Sequence, residues 1–198
     1  MGVEKRMADR CNTIRLYSFQ TDVVYQVLKR DGVCYSKEEY VRKKYKESAK
    51  VFINAYGWFV KEAQHIVPKP EEAEYPYWAF TDLYNVDQTG DGHVLTLDVP
   101  IGEAILFDMF DWTKIMQMHY IGENESEEAA FSEELKNMGM NEFQIMTSNF
   151  YPEQKARIQE SWKRLFGHQQ AIEAGDNSGV HSVQAGLWCI KGEWIVKE

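Results

Sequence analysis

Apolar positions along the chain alternate between a period of two and a period near 3.6, and those changes of period divide it into strands and helices. Ile14, Leu16 and Ser18 against Arg15, Tyr17 and Phe19 predict a short strand over 14–20 that needs partners. Thr21 is placed to cap a helix carrying Val23, Val24, Val27 and Leu28, with Gly32 as a left-handed stop and a strand at 33–35. Ser36 and Glu39 have capping-box spacing, so a second helix is expected from Lys37. Val51, Phe52, Ala55, Tyr56, Phe59, Val60 and Ala63 then form a wide apolar helical stripe, which reads as core and ends before Pro68 and Pro70.

Residues 77–86 and 94–99 read as two strands joined as an antiparallel hairpin around Asp87-Gln88-Thr89-Gly90-Asp91-Gly92. A strand at 104–107 precedes a helix bearing Trp112, Ile115, Met116 and His119, and residues 127–166 are helical in pieces, broken near Gly139 and Pro152. Residues 167–179 are polar and Gly-containing, the pattern of a mobile loop. Two strands, 182–190 and 193–196, close the chain as a hairpin about Lys191-Gly192. With helices concentrated in the middle and no repeat, linker or compositional break, the expectation is one α+β domain over 1–198, loosely ordered over 1–12. Its mixed or antiparallel sheet, built with N- and C-terminal strands, packs against several helices.

A chain of 198 residues with 44% hydrophobic side chains has enough material for one core. Its net charge of −9 disfavours a polyanion, so nucleic acid is not an expected partner, although Arg42, Lys43, Lys44, Lys46 and Lys50 form a local basic run around Tyr45. Cys11, Cys34 and Cys189 are too few and too scattered for a disulfide framework and read as reduced thiols. No stretch has the length of a membrane span or the form of a signal peptide, and a cytoplasmic location is the expectation.

Known chemical motifs are mostly excluded. The 87–98 segment imitates a calcium loop, but Thr89 replaces a ligand, Asp98 is shorter than the usual Glu, and the flanks are strand-like. His65, His93, His119, His168 and His181 are scattered, so no metal or cofactor is expected. Gly175 to Gly179 with His181 invites a hydrolase reading, yet no nucleophile elbow and no phosphate-binding Gly motif is present. Paired glutamates over 123–134 read as solvated. Asp108, set between Phe107 and Met109, is the more interesting carboxylate, with helix capping as its first role.

The ordered set Leu16-Tyr17-Ser18-Phe19-Gln20, Tyr75-Pro76-Tyr77-Trp78-Ala79-Phe80, Leu97-Asp98-Val99-Pro100, Phe107-Asp108, Trp112, Ser161-Trp162, Phe166, Gln184-Ala185 and Trp188 resembles the bacterial family known as domain of unknown function 3841. Tyr17 and Phe80 stand where members of that family often carry Trp. The resemblance implies an architecture and marked positions without a reaction. Gln20 and Gln184, amides within apolar strands, require defined partners, and with Trp78 and Asp108 they are the expected lining of one cleft. Such a cleft suits a nucleotide-like ligand, NAD or another nucleotide, held by stacking and edge hydrogen bonds. The opening strand, helix, Gly32 and strand are similar to the start of ADP-ribosyltransferase-type folds, although the first-strand His or Arg is missing and Glu193 is only the nearest match to their late Glu. The other reading is a non-catalytic interaction module whose acidic surface meets a basic partner. Neither an enzymatic activity nor an oligomeric state follows from these residues.

Overall fold

A computed structural model describes residues 13–39, 42 and 49–196 of the chain. Strand β1 (Thr13–Thr21) leads into helix α1 (Asp22–Asp31) and strand β2 (Val33–Tyr35). Gly32, at φ 75°, makes the left-handed turn between the last two, its N–H donating to Leu28 O at 3.0 Å. Thr21 occupies the capping position without a side-chain bond. Glu38 and Glu39 begin the expected second helix, and Arg42 pairs with Glu38 one turn on. Lys43, Lys44, Tyr45 and Lys46, the side chains of Lys50, Val51 and Phe52, and the N-terminal twelve residues lie outside the described residues.

Helix α2 (Ala49–Ala63) presents Ala55, Tyr56, Phe59 and Ala63 inward as its periodicity predicts, with Trp58 buried as well. Strands β3 (Tyr77–Phe80), β4 (Gly92–Pro100) and β5 (Ile105–Asp108) follow, then helices α3 (Met109–Met116), α4 (Glu125–Asn137), α5 (Glu142–Thr147) and α6 (Pro152–Ser161). A 3-10 segment, Trp162–His168, continues into helix α7 (Gln169–Glu173), and strands β6 (Val183–Leu187) and β7 (Cys189–Lys191) complete the order. The architecture is α+β, as expected.

Five strands form one antiparallel sheet in the order β4–β1–β3–β6–β5, and β2 pairs with β7 in a second, two-stranded sheet. Neither expected hairpin forms. β3 and β4 are separated by β1, which pairs with β4 from Thr13↔Pro100 to Thr21↔Gly92 and offers it nine partners where a short hairpin would offer four. The closing strand breaks at Trp188, whose indole N–H donates to Val67 O at 2.8 Å; beyond it the chain leaves the large sheet to pair with β2. Gly192–Trp194 is a 3-10 turn, not a strand.

Strict alternation along β5 divides the core. Ile105 and Phe107 face α2, α3, α4, α5 and α6 in a cluster with Phe59, Trp112, Phe131, Ile145, Ile158 and Trp162. Leu106 faces the other way, with Leu16, Leu97, Ala185, Val24, Leu28 and Trp194. Burial of the two faces at roughly 25 cal/mol per Å² is the main driving force for this arrangement.

The expected mobile loop 167–179 is partly helical. Gln169 on α7 is buried: its Oε1 accepts from Leu106 N at 2.5 Å and its Nε2 donates to Ala104 O at 3.2 Å. β5 is an edge strand, and this amide occupies backbone groups that would otherwise lack a partner.

Candidate functional site

The sheet register decides which of the sequence-predicted site residues meet. Thr96, Tyr17, Phe80, Gln184 and Phe107 are successive cross-strand partners, so one straight row crosses all five strands on a single face. Trp78 pairs with Gly186, two residues from Gln184, and lies on that same face. Thr96, Tyr17, Phe80 and Trp78 remain half-buried, whereas Gln184 is 3% exposed. The row therefore descends from a partly open floor on β4, β1 and β3 to a buried amide on β6.

Aromatic rings enclose the inner end of this row. Trp78 lies 4.8 Å from Trp112 and 6.2 Å from Phe107, centroid to centroid, and Trp112 lies 6.2 Å from Phe107. Trp78 Nε1 donates to Tyr56 Oη at 2.9 Å, which satisfies the indole and fixes its plane. The Gln184 amide makes no hydrogen bond among the described residues, while no fully buried side-chain N or O is left without a partner. Its polar tip thus still touches solvent beside the buried aromatic cluster. A glutamine amide brings one acceptor and two donor hydrogens, so this one presents unused hydrogen-bonding capacity.

Gln20 and Asp108 do not join this face. Gln20 Nε2 donates to Ser18 Oγ at 2.8 Å, and Ser18 Oγ donates to Trp78 O at 2.7 Å, which places both side chains on the side of Leu16. Asp108 pairs with Val183, one position from the Phe107↔Gln184 pair, and projects opposite to Gln184. The four residues are distributed over both faces of the sheet.

Asp108 caps α3, as its sequence context predicts, by accepting from Phe110 N at 3.0 Å. It also does what no local pattern signals. Oδ2 accepts from the backbone N–H of His181 at 2.9 Å and meets His181 Nδ1 at 2.8 Å, and Oδ1 accepts from Ser182 N at 3.4 Å. Burial opposes ionisation of this carboxyl, but the hydrogen bonds from His181, Phe110 and Ser182 outweigh it and hold it below the usual carboxylate range. Nearby Asp111 goes the other way, pushed up by burial against the pull of Lys114.

Other candidates lose their chemical case. Cys189 is buried, and its thiol is pushed up to about 11 by desolvation, which removes the thiolate a nucleophile needs. The described residues contain no group of three His, Cys, Asp or Glu arranged for a metal. Glu193 lies exposed on the final 3-10 turn, and the 87–91 segment is a loop entering β4. The glutamates over 123–134 are not all free in solvent: Glu128 binds Lys114 at 2.6 Å, Glu134 binds Arg157, and Glu127 accepts from Tyr120 Oη at 2.6 Å. No described helix is long and apolar enough to cross a membrane.

No curated protein and no solved structure matches the chain significantly. The family described as Domain of unknown function (DUF3841) matches residues 15–196, and the chain belongs to it.

Proposed function

We propose that this protein binds a nucleotide-like small molecule on the row Tyr17, Phe80, Gln184, with the ligand's planar base or carboxamide lying against the half-buried rings of Tyr17, Phe80 and Trp78. The observation that carries the reading is the Gln184 amide, 3% exposed yet without a hydrogen bond among the described residues. The amide meets solvent only at its tip, so a ligand's adjacent donor and acceptor would supply hydrogen bonds that the protein does not. Glutamine is suited to such an edge, since its amide pairs two-fold with an adenine-type donor and acceptor, and the neighbouring rings of Phe80 and Trp78 favour a flat heterocycle.

The reading keeps Trp78 and Gln184 from the sequence-predicted cleft and gives Gln20 and Asp108 no contact with the ligand. The strand, helix, left-handed glycine and strand that open the fold support the ADP-ribosyltransferase analogy only as far as that order of elements, so NAD is a ligand to test and ADP-ribosyl transfer is not assigned.

The test is thermal unfolding of the chain and of Gln184→Leu in the presence of NAD, ATP, adenosine and nicotinamide. Ligand at a hundredfold excess over its Kd adds about 2.7 kcal/mol to the native state. At least one of these compounds should raise the wild-type midpoint by several degrees and leave Gln184→Leu unmoved, while the variant without ligand is as stable as wild type or more so. No response from wild type to any of them, together with a destabilised Gln184→Leu, would show the amide to be structural and move the reading to the interaction module.

A further inference from the structure

His181 is 74% exposed, but its imidazole is held in place. Asp108, 5% exposed and ionised, can only accept, so the 2.8 Å contact requires the proton on Nδ1 and leaves the lone pair of the neutral ring on Nε2. Phe110, half exposed, packs against the imidazole with centroids 4.9 Å apart and limits its rotation. The backbone around the pair is tied down as well: Asn85 Nδ2 donates to Ser182 Oγ at 2.7 Å, and Thr81 N donates to Val183 O at 3.2 Å. Neither role already given to Asp108 needs the imidazole, because capping uses Phe110 N and docking of the 176–182 segment uses the His181 N–H.

We infer that Asp108 and His181 form a proton-transfer pair that hydrolyses small esters with an apolar or aromatic group, His181 acting as general base and Asp108 as the residue that positions it. Nε2, which has no partner among the described residues, takes a proton from water as the water oxygen bonds to the ester carbonyl carbon. The tetrahedral intermediate collapses with cleavage of the bond to the leaving oxygen, and the proton passes from Nε2 to that oxygen, giving carboxylic acid and alcohol with the imidazole restored. The apolar part of the substrate meets Phe110 and the turn that Asn85 ties to this edge, where Leu83 and Tyr84 are exposed. Asp111 on α3 is the other titratable group shown to feel the charge of Asp108, and Lys114 and His168 in turn act on Asp111. This activity is independent of the Gln184 ligand.

The experiment uses the full chain and 4-nitrophenyl acetate between pH 5 and 9. The expected rate exceeds that of free imidazole at equal concentration at least tenfold. His181→Gln, a change at an exposed side chain, should reduce it to the imidazole level or below. Asp108→Asn should lower the rate about tenfold, and the histidine 15N shifts should identify Nδ1–H in wild type and its loss in Asp108→Asn. A rate no greater than that of free imidazole, or one that survives His181→Gln, overturns the proposal.

Discussion

Two buried glutamines show how the same side chain serves opposite ends. Gln169 spends its amide on the outer edge of β5, bonding Leu106 N, Ala104 O and Glu173 Oε1, whereas Gln184 spends none of its own on the described protein. Replacing Gln169 by Leu removes a satisfied amide and leaves a strand N–H and C=O unpaired in the interior. The expected cost is about 2–6 kcal/mol, since each of the two orphaned groups costs about 1–3 kcal/mol; it should appear as a lower urea midpoint with an unchanged m-value. Gln184→Leu should cost nothing, so the pair of variants separates a structural amide from an available one. Sequence reasoning marked Gln184 because an amide interrupts an apolar strand, and it passed over Gln169 because that residue sits in a polar, Gly-containing stretch where nothing announces burial. His181 escaped as a partner of Asp108 for a different reason: 73 positions separate them, and only the placing of β6 beside β5 joins the two.

Elements whose signal is local were legible in the chain. The α2 stripe, the Gly32 stop and the Asp108 cap each rest on residues within one or two turns of one another, and each appears where expected. Strand pairing was not legible, because the choice between β1 and β3 as the partner of β4 depends on which edge offers the longer ladder, a non-local quantity. One crossing shows how tightly the result is fitted. A Cβ built on Gly186 of β6 would lie 2.8 Å from the ring of Phe59 on α2, with Trp78 at 3.5 Å on its other side. Phe59 is fully buried among other rings and has no room to yield. Gly186→Ala should therefore destabilise by about 1–3 kcal/mol through overpacking. Combining it with Phe59→Leu should recover part of that loss, giving a coupling energy of at least about 0.5 kcal/mol in a double-mutant cycle. Strictly additive costs would mean that the helix and sheet are free to move apart at this point.

Across the whole molecule, acidic groups outnumber basic ones by 31 to 22, and most of the ion pairs lie at the surface, where salt screens them and each contributes little. Asp108 is the exception, the one carboxylate in the buried set among the described residues. Its folded-state pKa lies below the unfolded value, so the stability it contributes is complete above the ordinary carboxylate range and is lost as pH falls through the depressed folded value. Asp111 opposes this, because its pKa is raised on folding: it favours the native state at low pH and ceases to do so as pH rises through its folded value. Asp111 has Lys114 beside it, while Asp108 joins three elements, the end of β5, the start of α3 and the approach to β6. Acid should accordingly release the 181–183 approach from α3 along with the proton uptake of Asp108. Asp108→Asn is expected to lose about 1–3 kcal/mol at pH 7, the worth of hydrogen bonds to a charged acceptor, and to show a shallower decline than wild type between pH 4 and pH 2. Urea unfolding of both proteins across that range measures the difference. Parallel curves would place the acid sensitivity in the surface glutamates instead, and the low-pH form would then keep the His181 segment docked.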